Sequence, residues 1–193
     1  MRFRTLPLAL LAALSPSFIS AQEADMVDMK VLIDFTSSDA VRWTIVNDGV
    51  MGGLSRSELE PTDSGTAIFS GFVSLENNGG FASVRASFGS LDLSPFAGVM
   101  VRVRGDGRRY QLRFRTDNSF DGVAYRAEFD APDGEWVEVK LPFSGFQPTF
   151  RGRVPRGAAP LDPGRIRQLG FLIGDKREGS FEMEIDWVKA YRD

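Results

Sequence analysis

Two glycine-punctuated stretches hold the side chains best suited to chemistry. The first is Asn47-Asp48-Gly49-Val50-Met51-Gly52-Gly53-Leu54-Ser55; the second is Glu76-Asn77-Asn78-Gly79-Gly80, with Arg85 further along. Brought together, Asp48 and Glu76 would make a carboxylate pair of the glycosidase type. Short of that, Asn47, Asp48, Asn77, Asn78 and Arg85 would hydrogen-bond a ligand, while Met51 and Leu54 would supply apolar contact. As surface contacts, Asp48 and Asn78 would be removable without harm to the fold. Asn-x-Gly and Gly-Gly runs occur where the backbone needs positive φ or where another group approaches it closely. The plainest reading makes both stretches hairpin turns. A site requires them side by side at one end of a β-sandwich.

What is missing narrows the chemistry further. The chain has no His and no Cys, which removes imidazole bases, catalytic triads and metal centres built on those ligands. Disulfides are excluded, so the core alone must supply stability. Carboxylates, a Lys or Tyr base, and oxygen-ligated calcium or magnesium remain. No dense acidic loop assigns a metal, and no cofactor is expected. A net charge of −3 lacks the basic excess that nucleic-acid binding needs. Hydrophobic residues at 42% and charged residues at 25% fit a globular domain, and sixteen Phe point to an aromatic core.

The string running from Trp43 through Val46-Asn47-Asp48-Gly49-Val50-Met51-Gly52-Gly53-Leu54-Ser55, followed by Phe69 to Arg85, resembles the complex I intermediate-associated protein 30 family. The resemblance continues through residues 101–116, 141–153 and 169–176, in the same order. It implies an all-β jelly roll of the galactose-binding-domain type. It also implies an assembly factor for a membrane complex, binding a protein subunit, rather than an enzyme. The same architecture suggests a second reading, an exported carbohydrate-binding module in which Trp43 or a Phe stacks on a glycan beside Asn47, Asp48, Asn77, Asn78 and Arg85. Sugar-binding modules of this architecture often hold a structural calcium near the first and last strands, which here would point to Asp34 and Asp186.

The elements that must position these residues follow a period of two. Met29, Val31, Ile33 and Phe35 share one face of a first strand, and Val41, Trp43 and Ile45 share one face of the strand entering the first bend. Burial of that face would keep Trp43 from stacking on a sugar. Residues 67–73 and 81–88 are expected to flank the second bend as a hairpin. Residues 99–115 give the clearest hairpin, with Val103 opposite Tyr110 across Gly105-Asp106-Gly107-Arg108. Val99, Val101, Val103, Tyr110, Leu112 and Phe114 would then share the inner face, and Arg102, Arg104, Arg109, Gln111, Arg113 and Arg115 the outer one. Cross-strand pairing with Glu182, Glu184 and Asp186 is the plainer use of those arginines. Gripping a carboxylate, phosphate or sugar hydroxyl is the functional one. Residues 142–163 are irregular, with Phe146, Phe150, Arg151 and Arg153 as second-rank contacts or as loop anchors.

Ahead of the domain, Arg2 and Arg4 precede an apolar run over residues 6–14. The pattern predicts a signal peptide over residues 1–21, a lead-in over 22–30 and one sandwich domain over 31–193. Export to a periplasm follows, with no membrane span left after cleavage. The rival is a mitochondrial presequence, since no acidic residue precedes Glu23.

Overall fold

Period-two alternation becomes two antiparallel sheets whose apolar faces meet. The computed structural model describes residues 29–36 and 41–192. The expected signal peptide and nearly all of the 22–30 lead-in lie outside these. In chain order the strands are β1 (Lys30–Asp34), β2 (Trp43–Ile45), β3 (Arg56–Pro61), β4 (Ala67–Val73), β5 (Ala82–Leu91) and β6 (Gly98–Arg104). They continue with β7 (Arg108–Arg115), β8 (Ala124–Ala131), β9 (Val137–Pro142), β10 (Gln147–Thr149), β11 (Ile166–Ile173) and β12 (Gly179–Tyr191). The first sheet runs β3-β4-β12-β6-β9, with β1 also on β12; the second runs β10-β8-β7-β11-β5-β2. This is the jelly-roll sandwich expected from the sequence.

Two expected hairpins are absent, and for one reason. β4 and β5 belong to different sheets, as do β6 and β7. Val103 pairs with Val137 and Ile185, and Tyr110 with Phe129 and Ile173. The inner-face residues named above are all buried, but they meet from opposite sheets across the core. Alternation records which face is apolar; it does not record whether the next strand lies beside or opposite. The 105–107 turn is therefore a crossover. It is braced by the β8–β9 connection through Gly105 N to Pro132 O (3.0 Å) and Gly107 N to Ala131 O (2.9 Å).

A bulge between Val31 and Ile33 shifts the register of β1 on β12. Such an extra residue reverses which side chains face inward. Ile33 is buried while Val31 is exposed. Aromatic rings fill the centre: Phe69 and Phe181 lie 4.9 Å apart, and Phe114 and Phe146 5.1 Å. Phe143 and Phe146 are buried, so they anchor the irregular 142–163 segment from within rather than presenting a contact surface. Phe150 stays exposed under the Arg151 guanidinium, which pairs with Asp121 at 2.5 Å.

Candidate functional site

The two glycine-rich bends do converge, and Asp48 is what joins them. β2 ends at Ile45, and a single 3-10 turn over Asp48–Met51 carries the chain back toward β3. Gly52 closes this turn at φ 90°, a left-handed position that favours glycine. The Asp48 carboxylate folds inward and accepts hydrogen bonds from Ser55 N (3.0 Å), Ser55 Oγ (2.5 Å), Gly80 N (2.7 Å) and Phe81 N (3.2 Å). Gly53 and Gly79 wrap it so closely that a Cβ on either would lie within 2.6 Å of its carboxyl atoms. Both reasons for glycine are thus realised, positive φ at Gly52 and close approach at Gly53.

Asp48 is fully buried. Burial pushes its pKa up, but the Ser55 hydroxyl and the amides of Gly80, Phe81 and Ser55 outweigh that and hold it below the usual aspartate range. An inward, saturated carboxylate leaves nothing to pair with Glu76, so the glycosidase-type arrangement is not formed. The expectation that Asp48 is a dispensable surface contact is also overturned. Asn47 is likewise spent internally: its Oδ1 accepts from Ser57 Oγ at 2.8 Å and Ser83 N at 3.0 Å. Ser55 is buried with Asp48.

What the clasp presents outward is mostly apolar. Val50, Met51 and Leu54 on the first bend are exposed at 61%, 56% and 51%, and Leu75 beside the second is exposed at 44%. Glu76, Asn77 and Asn78 are exposed too, the two asparagines in the left-handed region at φ 54° and 59°. Trp43 packs inward between Phe35 (6.1 Å) and Phe171 (6.3 Å). Ile45, expected on the same buried face, is exposed because β2 is a three-residue edge strand.

Arg85 does not belong to this rim. It lies on the outer face of the second sheet, between Thr44 of β2 and Gly170 of β11, with Nη1 donating to Phe120 O at 3.2 Å. The expected arginine face is itself divided. Arg102 and Arg104 lie on the first sheet and pair with Asp186 and Glu184, as cross-strand logic predicts. Glu182, the third expected partner, instead donates its backbone N–H to Asp106 Oδ2 at 2.9 Å. Arg109, Gln111, Arg113 and Arg115 lie on the second sheet. Asp186 pairs with Arg102, and Asp34 accepts from Thr36 Oγ1 at 2.9 Å. Among the described residues no cluster of three or more acidic side chains could hold a metal.

One structural residue escaped the sequence reading. Arg108, placed there in a turn, is buried and pairs with Asp175 at 2.6 Å while donating to the carbonyls of Arg177 (2.5 Å), Gly179 (3.3 Å) and Ser180 (2.9 Å). Its partners lie 67 to 72 positions further along the chain, so local spacing carries no signal for it.

The chain resembles known proteins in sequence and in fold. The family model described as complex I intermediate-associated protein 30 matches residues 33–185. The mitochondrial complex I intermediate-associated protein 30 of Mus musculus is 30% identical, the match covering 89% of this chain and 59% of that one. Its Drosophila melanogaster counterpart is also 30% identical, over 82% of this chain and 61% of that one. The chain thus spans about three-fifths of the length of these relatives. Among solved structures, a family 11 carbohydrate-binding module from Clostridium thermocellum, in complex with a mixed-linked tetrasaccharide, superposes with a TM-score of 0.64. That likeness covers 86% of this chain and 96% of the module, at 20% identity. A family 30 carbohydrate-binding module matches with a TM-score of 0.56 at 13% identity, over 83% and 88%. At such identities the likeness is one of fold.

Proposed function

The chain belongs to the complex I intermediate-associated protein 30 family, and on that premise we propose that it is a non-catalytic binding module that holds a protein subunit during assembly of a membrane complex. The observation that carries this is the rim: Val50, Met51, Leu54 and Leu75 stand exposed on bends that the Asp48 clasp holds in place. Apolar side chains displayed on a pre-ordered scaffold lose little entropy when a partner covers them. Aliphatic residues and a methionine suit a protein surface, which they can follow closely. A glycan would need a free aromatic platform and unspent hydrogen-bonding groups. Trp43 is occupied by Phe35 and Phe171, and Asn47 Oδ1 and Asp48 are consumed within the clasp, so at the rim Asn77 and Asn78 stand exposed without the ring expected beside them.

The named relatives are mitochondrial, and nothing in them favours the secretory reading of residues 1–21. The proposal needs only that the chain reach an assembly intermediate, and among the described residues no helix is long and apolar enough to cross a membrane. The test is co-purification of the tagged full chain from solubilised membranes, beside the Met51→Glu/Leu54→Glu variant. Wild type is expected to retain subunits of a partly assembled complex, and the variant to lose them at an unchanged melting temperature. Equal recovery by both would remove the rim from the reading. Selective retention on a glycan array would replace the protein client with a sugar.

A further inference from the structure

On the outer face of the second sheet, away from the rim, three arginines surround a hollow of about 20 Å³. Arg85 of β5, Arg113 of β7 and Arg115 line it with Gln168 and Gly170 of β11. Gly170 sits in register between Arg85 and Arg113, and the missing side chain leaves the space between them. A Cβ there would lie 2.6 Å from Val84 O, so the strand keeps that gap open.

None of the three guanidinium groups closes an ion pair among the described residues. Arg85 donates to Phe120 O, Arg113 to Gln111 Oε1 and Arg115 to Gly122 O. The acidic groups nearby make their contacts elsewhere, although the charges of Asp117 and Asp121 still favour Arg115 and that of Asp121 favours Arg85. Asp121 pairs with Arg151, Asp117 accepts from Ser119 N, and Glu128 accepts from Gln111 and lies 3.7 Å from Arg126. Burial first, then the charge of Arg115, lowers the pKa of Arg85 to about 10. Burial first, then Arg126, Arg115 and Arg85, lowers that of Arg113 to about 10 as well. Gln168, only 6% exposed, keeps its Oε1 buried with no hydrogen-bond partner. Clustered cations and a buried acceptor left unpaired are both costly unless something completes them.

We propose that this hollow receives the carboxylate of an acidic peptide segment, with the guanidinium groups of Arg85, Arg113 and Arg115 binding the anion. A hollow of about 20 Å³ has room for about one water-sized group. It therefore admits the oxygen end of a carboxylate. A peptide can place an apolar side chain next to an acidic one, which matches the unpaired cations and the exposed ring beside them. Phe120, 61% exposed with Arg85 5.8 Å from its ring centroid, offers an apolar shelf for the neighbouring side chain.

The test is isothermal titration of the full chain with the capped peptide acetyl-Gly-Glu-Phe-Glu-Gly-amide. Its Gln-for-Glu counterpart, inorganic phosphate and an oligogalacturonate are titrated alongside. The Glu peptide is expected to bind, and the Gln counterpart to bind at least about tenfold more weakly, since charge-assisted hydrogen bonds are roughly twice as strong as neutral ones. Arg113→Gln and Arg85→Gln should each lose about tenfold at an undiminished melting temperature, whereas Arg109→Gln, on the same face outside the hollow, should bind as wild type. Should Arg113→Gln not fold, Arg85→Gln decides. Equal binding of the Glu and Gln peptides, or full affinity in the folded arginine variants, would overturn the assignment. Preference for phosphate or for the oligogalacturonate over the Glu peptide would overturn it too. Because no rim residue enters these titrations, their failure leaves the rim proposal standing, and the reverse also holds.

Discussion

Arg108 and Arg113 lie on the same strand and meet opposite fates. Arg108, 5% exposed, has a carboxylate and three carbonyls around it, and its pKa is raised because Asp175 outweighs the cost of burial. Arg113 is half-buried, finds only a glutamine oxygen, and its pKa falls to about 10. Burial is common to both, so the partner decides the outcome. Where a buried charge is saturated, as at Arg108 and again at Asp48, it ties distant segments together. Where it is left incomplete it marks a place that something outside the chain can fill.

Replacing both arginines by the same residue breaks the comparison most sharply. Arg108→Gln should cost about 3–5 kcal/mol in urea unfolding, because Asp175 is left buried without its counter-charge. Arg113→Gln should change stability by no more than about 0.5 kcal/mol, or raise it, since it relieves repulsion among its neighbours. Similar losses at the two positions would erase the distinction.

Asp48→Ala comes next, at about 2–4 kcal/mol, since the amides of Ser55, Gly80 and Phe81 lose their acceptor. A melting temperature equal to wild type would show that the bends hold without the clasp. Gly52→Val, at φ 90°, should cost about 1–2 kcal/mol by the same measurement.

Acid separates the saturated carboxylates from ordinary ones. Asp48 and Asp175 both titrate below the 3.8 of a free aspartate. For Asp175, burial pushes upward, and the hydrogen bonds and charge of Arg108 pull it lower. A depressed folded pKa contributes stability that is complete above about 3.8 and is lost as pH falls through the folded value. Unfolding midpoints followed from pH 5 downward should therefore fall more steeply for wild type than for Asp48→Ala. Parallel curves would mean that the carboxylate is not ionised in the clasp.

Several features were legible before any coordinates. The family string, the all-β alternation, the inward faces of residues 99–103 and 110–114, and the glycine demand at Gly52 and Gly53 all hold. The pairing of Arg102 and Arg104 with Asp186 and Glu184 was legible too, because alternation puts like positions on one face. The two hairpins were misread at the sandwich crossovers, where the same alternation serves strands that face each other. Asp48 looked like a ligand contact because a polar residue in a glycine bend is usually at the surface. Its inward turn depends on amides at Gly80 and Phe81, more than thirty positions away.

The sequence by itself determined the chemistry that is excluded, the faces that β6 and β7 turn inward and the places where the backbone must bend. Only the tertiary structure decided which strands are neighbours and which charges beyond Arg102 and Arg104 find partners. Side-chain periodicity is a local property of the chain, whereas pairing and electrostatic completion are set by distances through space that local spacing does not encode.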